Sequence, residues 1–151
     1  TAIGVKGANI DGGEVIGMAT SEEGNKVLTV TENGYGKLSE LEEFRATNRG
    51  AKGVKALTVN EKTGNLVCLK AVQGNEDCMI ITNDGIVIRI SLTQVSVYSR
   101  GAQGVRLINV GDDKMVSNVA IVSPEESEEE TIDTEETTEA TTAETTEETK
   151  E

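Results

Sequence analysis

The sequence has no histidine and no tryptophan, and its only aromatic residues are Tyr35, Phe44 and Tyr98. Histidine is the commonest general base in enzymes, so its absence excludes the most usual catalytic arrangements. The scarcity of aromatic residues argues against a platform on which single-stranded nucleic acid would stack. It also leaves Val, Ile and Leu to form the core.

Cysteine is almost as scarce, since only Cys68 and Cys78 occur and no Cys-x-x-Cys pair is present. We interpret both as reduced core residues rather than as a disulfide or metal ligands. Neither thiol has a histidine to activate it, and acids such as Asp11 and Asp112 fall in predicted turns, where solvated carboxylates are ordinary. We therefore expect no catalytic residue, no metal site and no cofactor in this chain.

Long apolar runs are absent too, so we expect neither a signal peptide nor a membrane-spanning segment in this sequence, and no membrane partner. The chain begins at Thr1 without an initiator methionine. We expect it to be a piece of a longer protein.

What the sequence has in excess is negative charge, and that charge lies mainly at one end. The net charge is -13, yet residues 1–122 contain 13 Lys and Arg against 14 Asp and Glu, whereas residues 123–151 contain 1 against 13. From Ser123 onward the chain is mostly Glu and Thr and has too few apolar residues to offset the entropy of folding. We predict a near-neutral folded part over residues 1–122 and a disordered acidic tail over residues 123–151.

The folded part contains a repeated motif, which we call the basic motif. Its second copy, Arg49–Lys55 (RGAKGVK), recurs as the third copy, Arg100–Arg106 (RGAQGVR), and a reduced first copy, Ile3–Gly7 (IGVKG), opens the chain. A period of about fifty residues is typical of propeller blades and similar repeat units. We place the repeats near residues 1–48, 49–99 and 100–122.

Within each repeat, short runs rich in Val, Ile and Thr are separated by turn signals such as Asn33-Gly34 and Asp84-Gly85. In the second repeat they predict four strands, near residues 53–60, 66–72, 78–83 and 86–95. Residues 39–44 have a helix-forming composition but align with a strand end, so we allow them one turn at most. The predicted fold is all-β, a partial propeller-like array of about two and a half four-stranded blades.

Each copy of the basic motif places cations beside glycines, so the same charge returns at one place in every blade. Charges repeated in this way form a track along one rim, and a long polyanion needs only Lys and Arg on such a surface. Because stacking residues are scarce, duplex nucleic acid is the better partner. The alternative interpretation is that these are ordinary solvated charges of strands and loops.

Several consecutive segments resemble the C-terminal domain of the bacterial DNA gyrase A subunit. They are the basic motif, Thr29–Lys37, Met79–Arg89, and Gly104–Ile108 followed by an acidic tail. The resemblance implies a β-pinwheel, a propeller-like disc of six blades that exchange strands with their neighbours, of which this chain supplies the last two to three. It also implies that duplex DNA wraps around the basic rim, so that the parent type IIA topoisomerase introduces negative supercoils. The implied phosphate contacts are Lys6, Lys37, Arg45, Arg49, Lys52, Lys55, Arg89, Arg100 and Arg106.

The same resemblance implies a parent enzyme of two A and two B subunits in the bacterial cytoplasm, associated with the nucleoid. ATP and Mg²⁺ would be used by other parts of that enzyme. The family's heptapeptide Gln-Arg-Arg-Gly-Gly-Arg-Gly does not occur here. The C-terminal propeller of the topoisomerase IV A subunit therefore stays an alternative, and a protein-interaction propeller is a second one. The acidic tail either competes with DNA for the rim or only increases solubility.

Overall fold

The computed structural model describes residues 2–123, and its regular structure is almost entirely β. The strands are β1 (Lys26–Thr31), β2 (Tyr35–Glu40), β3 (Leu66–Val72), β4 (Asp77–Thr82), β5 (Val87–Ser91), β6 (Val105–Arg106) and β7 (Val116–Val122). Two single-turn 3-10 helices, Leu41–Glu43 and Leu92–Gln94, follow β2 and β5. The all-β prediction is confirmed. Of the predicted acidic tail, only Ser123 falls within the described residues, and within them no helix is long and apolar enough to cross a membrane.

The strands form two antiparallel sheets, with the order β3-β1-β2-β6 in the first and β5-β4-β7 in the second. Each sheet is built around a hairpin whose tight turn contains a glycine at positive φ: Gly34 at 76° between β1 and β2, and Gly85 at 86° between β4 and β5. Both turns are closed by backbone hydrogen bonds, from Gly34 N to Thr31 O and from Gly85 N to Thr82 O. The hairpins predicted from Asn33-Gly34 and Asp84-Gly85 are confirmed.

Neither sheet is built from a single repeat. Strands β1 and β2 come from the first repeat, but the first sheet also takes β3 from the second repeat and β6 from the third. The second sheet combines β4 and β5 of the second repeat with β7 of the third. The blades therefore exchange strands, as the resemblance implies.

The two sheets share one hydrophobic core. Leu28 and Val30 of β1 and Ile80 of β4 are fully buried, and Val116 and Val119 of β7 lie in the same cluster. Aliphatic residues dominate this cluster, as the scarcity of aromatics predicts.

Cys68 and Cys78 belong to the same core and carry free, buried thiols, in agreement with the prediction. Burial raises the pKa of both thiols to about 11. Because the thiolate is the reactive form, burial disfavours nucleophilic attack by either cysteine at neutral pH.

The prediction of a strand over residues 53–60 is wrong, because these residues form no strand in the structure. Val105–Arg106 of the third motif copy does form a strand, β6, because the edge of β2 is available to pair with it. Val54 and Lys55 occupy the same positions of the second copy and pair with no strand among the described residues. A strand needs the hydrogen bonds of a partner, which the local sequence alone cannot supply.

The predicted strand over residues 86–95 is shorter in the structure, where β5 ends at Ser91 and a 3-10 turn follows. The turn allowed within residues 39–44 is confirmed as the 3-10 helix Leu41–Glu43. The segment of the first repeat that aligns with β3 and β7 forms no strand, and it leaves Val15 and Met18 74% and 85% exposed. Strands β3 and β7 each pair with the central strand of the preceding repeat, and no such strand precedes Val15 in the described residues.

Candidate nucleic-acid interface

The third copy of the basic motif is attached to the first sheet through a close backbone approach. Val105 and Arg106 pair with Gly36 and Tyr35 of β2. Gly104 has φ 84°, and a Cβ at this position would lie 2.5 Å from the carbonyl oxygen of Gly36. The repeated glycine before Val105 is therefore required here both by the backbone conformation and by the space available.

The second and third copies of the motif lie side by side. Thr58 Oγ1 donates a hydrogen bond to the carbonyl oxygen of Gly101 at 2.7 Å. Asn60 Nδ2 donates to Gln103 Oε1 at 3.2 Å, and the guanidinium group of Arg100 donates to the carbonyl oxygen of Lys55. Three contacts thus join the start of the third copy to the residues at the end of the second copy and just beyond it.

The first and second copies are joined in a similar way. Gly50 N donates to Gly7 O at 2.8 Å, and Asn9 N donates to Ala51 O at 2.9 Å. The ammonium nitrogen of Lys52 lies 3.1 Å from Asp11 Oδ2. This ion pair is well exposed to solvent, so it contributes little to stability.

One side-chain contact between the first and second copies has a counterpart, at equivalent positions, between the second and third copies. Lys52 and Gln103 are the fourth residues of the second and third copies, while Asp11 and Asn60 each lie five residues after the motif's Gly-Val-Lys. The contact is an ion pair in the first case and a neutral hydrogen bond in the second. The three copies therefore form one continuous surface, which we call the basic strip.

Six of the nine cations predicted as phosphate contacts are exposed to solvent: Lys6, Arg45, Arg49, Lys52, Lys55 and Arg106. Arg100 is half-buried against the second copy. Arg89 lies apart from the strip on β5, where its Nε is 2.7 Å from Asp77 Oδ2 and its Nη2 donates to Ser123 O at 3.2 Å.

Lys37 differs from the others, because its side chain is fully buried. Its ammonium group donates to Ser39 Oγ at 3.0 Å, to Ser99 O at 2.7 Å and to Arg100 O at 2.6 Å. Burial lowers the pKa of Lys37, while the nearby Glu43 carboxylate raises it. An ammonium group enclosed by three acceptors is not available to a phosphate, so this placement argues against the contact predicted for Lys37.

The sequence interpretation missed Lys62, which lies outside the motif. Its ammonium nitrogen is 5.5 Å from the centroid of the Tyr35 ring, and the guanidinium carbon of Arg106 is 5.4 Å from the same centroid. The hydrogen bond from Arg106 lowers the pKa of Tyr35. No local sequence signal identifies Lys62, because the ring that it approaches lies 27 residues earlier in the chain.

Tyr35, Lys62 and Arg106 line a polar cleft of about 290 Å³ beside the strip. Lys114 adds a further cation to its wall, and Asp112 is one of two acids there. Among residues 2–123, no cluster of His, Cys, Asp or Glu has an arrangement suited to a metal ion. The chemistry that this surface offers is the binding of anions through ammonium and guanidinium groups.

The family model described as "DNA gyrase C-terminal domain, beta-propeller" matches residues 25–71 and 76–123. The chain is similar to the A subunit of DNA gyrase from Staphylococcus aureus strain MRSA252, with 48% identity over 132 residues, or 85% of this chain and 15% of that protein. For strain NCTC 8325 the identity is 49% over 133 residues, or 86% and 15%. The chain thus spans about 15% of the length of these curated relatives.

Two solved structures show the same fold. A DNA gyrase A C-terminal domain superposes with a TM-score of 0.62 at 24% identity, covering 67% of this chain and 34% of that one. A C-terminal domain of DNA topoisomerase IV gives 0.59 at 19%, covering 66% and 30%. Because the family model matches most of both sheets and the third motif copy, the chain belongs to the DNA gyrase C-terminal domain family of β-propellers.

Proposed function

We propose that the basic strip binds the phosphate backbone of duplex DNA. The observation that carries this proposal is the equivalent contact that joins successive motif copies, Lys52 with Asp11 and then Gln103 with Asn60. Because the copies are joined at equivalent positions, we expect their exposed cations to recur along one surface. A regular row of Lys and Arg suits a polyanion of regular charge spacing.

The proposed contacts are the exposed cations of the strip and its margins, namely Lys6, Arg45, Arg49, Lys52, Lys55, Arg100 and Arg106, joined by Lys62. Arg89 stays a prediction, since its guanidinium group is engaged with Asp77 and Ser123. Such contacts position a duplex without reading its sequence, because the side chains meet phosphates and not base edges.

We further propose that the parent protein is a gyrase A subunit in the bacterial cytoplasm. In it, residues 1–122 form the last two to three blades of the DNA-wrapping disc, and the strip bends nucleoid DNA to direct negative supercoiling. The curated relatives, which are A subunits of DNA gyrase at 48% and 49% identity, support gyrase over topoisomerase IV. The chain contributes binding rather than chemistry. The parent enzyme would consist of two A and two B subunits, and other parts of it would use ATP and Mg²⁺.

Nuclease footprinting of the parent protein on a long duplex tests this proposal. We expect the intact protein to protect a long stretch of DNA and the same protein lacking these residues to protect a shorter one. Equal protection by both proteins would contradict DNA binding by this part of the chain. It would favour the alternative of a protein-interaction module.

A further inference from the structure

One peptide group at the start of the third motif copy is held by opposite charges at its two polar atoms. The carbonyl oxygen of Ser99 accepts a hydrogen bond from Lys37 Nζ at 2.7 Å. The amide of the same peptide group, Arg100 N, donates to Glu43 Oε2 at 2.5 Å. Lys37 also donates to Arg100 O at 2.6 Å and to Ser39 Oγ at 3.0 Å, so all three of its ammonium hydrogens are used.

The fold itself does not require these charged side chains. The second repeat forms the same hairpin and the same 3-10 turn. Aligned on the hairpin turns, it has Ile88, Ile90 and Gln94 at the positions of Lys37, Ser39 and Glu43. A buried ammonium group costs desolvation free energy that an isoleucine does not. Its presence in the first repeat therefore indicates a role beyond filling the core.

The peptide group that Lys37 and Glu43 hold begins the third motif copy. This copy carries two of the proposed DNA contacts. Arg100 extends from the clamped peptide group to the second motif copy, where it donates to Lys55 O. Six residues later Arg106 lies over the ring of Tyr35. Cations that are fixed before binding lose less conformational entropy when a phosphate arrives.

We propose that Lys37 and Glu43 are positioning residues that fix the third motif copy on the first sheet and so set the places of Arg100 and Arg106 in the strip. Lys37 acts without touching DNA. The DNA-binding part of this inference rests on the proposed function, whereas the ordering of the third copy does not.

Hydrogen exchange of backbone amides in the full chain tests the ordering. Lys37→Met removes the ammonium group and keeps an apolar side chain of similar length. We expect exchange at Arg100 and Ala102, whose amides donate to Glu43 Oε2 and Ser99 O, to accelerate by about tenfold or more, with the amides of β4 and β7 unchanged. Because Glu43 is exposed, Glu43→Gln does not endanger the core and should give a smaller acceleration at the same amides. Unchanged exchange in both variants overturns the proposal.

Duplex affinity then tests the consequence for binding. We expect Lys37→Met to weaken binding about fivefold in the wild-type background. We expect less than about a 1.5-fold effect in the background that carries Arg100→Gln and Arg106→Gln, because the same contacts are lost only once. An equal loss in both backgrounds would show that Lys37 does not act through these arginines. If the wild-type chain binds no duplex, the proposed function fails, and the exchange measurement still decides the positioning role.

Discussion

Arg106 lies over the ring of Tyr35, with its guanidinium carbon 5.4 Å from the ring centroid, and its Nη2 donates a hydrogen bond to the phenol oxygen at 3.1 Å. The two residues are paired in adjacent strands, β6 and β2, although they are 71 positions apart in the chain. One contact therefore joins the first repeat to the third and fixes the direction of a proposed phosphate-binding side chain.

Tyr35→Phe keeps the ring and removes the hydrogen-bonding hydroxyl, whereas Tyr35→Leu removes the ring as well. We expect the midpoint of urea denaturation to fall slightly in the first variant and further in the second, because cation–π attraction and packing are then lost too. Tyr98→Phe is the control, since Tyr98 is exposed and its side chain makes no hydrogen bond among residues 2–123. Equal midpoints for Tyr35→Phe and Tyr35→Leu would contradict a role for the ring.

Gly104→Ala is expected to destabilise the third motif copy. The positive φ of Gly104 strains any residue with a Cβ by about 1–3 kcal/mol, and the added carbon would also overlap the carbonyl oxygen of Gly36. Gly101→Ala is the matched control in the same copy, because a Cβ there meets nothing within 4 Å. Chemical denaturation measures both free energies of unfolding. Similar losses of stability in the two variants would contradict the close approach of Gly104 to Gly36.

Acid should weaken the attachment of the β4–β5 hairpin to the third repeat. The hydrogen bond from Lys114 is the main cause that lowers the pKa of Asp84 from 3.8 to about 2. A carboxylate whose pKa is lower in the folded state adds stability above pH 3.8, and that stability is lost as the pH falls towards 2. Across this interval the free energy of unfolding should fall more steeply in the wild type than in Asp84→Asn. Parallel profiles would show that the ion pair with Lys114 does not contribute.

Removal of the acidic tail tests which of its two predicted roles applies, competition with DNA or solubility alone. A chain that ends at Val122 loses 13 acidic residues and one lysine. If the tail occupies the basic strip, this truncation should raise duplex affinity at low salt, and the gain should shrink as salt screens the tail. Unchanged affinity at low salt would leave the tail with a solubilising role only.

The sequence predicts those parts of the fold that depend on local chemistry. Asn33-Gly34 and Asp84-Gly85 specify tight turns because glycine readily adopts the positive φ they need, and the flanking runs rich in Val, Ile and Thr indicate the strands. The local sequence does not predict which distant segments pair as neighbouring strands. That blades exchange strands followed only from the family resemblance, and the pairing of β3 with β1 is known only from the structure.

The same limit applies to the site. The repeated motif identified the cations of the strip, but position along a strand did not show that Lys37 is covered by Ser99 and Arg100, which lie 62 and 63 residues away. Lys62 was missed because its partner ring belongs to another repeat. Burial of a side chain by a distant segment is decided by the assembled sheets and not by the local sequence.

The salt dependence of duplex binding tests the central claim most directly. Affinity of the full chain is measured against salt concentration for the wild type, for Lys52→Gln with Lys55→Gln, and for Lys26→Gln with Lys70→Gln, which removes equal charge from outside the strip. Since each phosphate contact contributes about 0.9 to the slope of log affinity against log salt, the strip variant should flatten the slope by up to about 2. The control variant should keep the wild-type slope. Equal slopes for all three proteins, or binding that does not respond to salt, would contradict the proposal that the basic strip binds the DNA backbone.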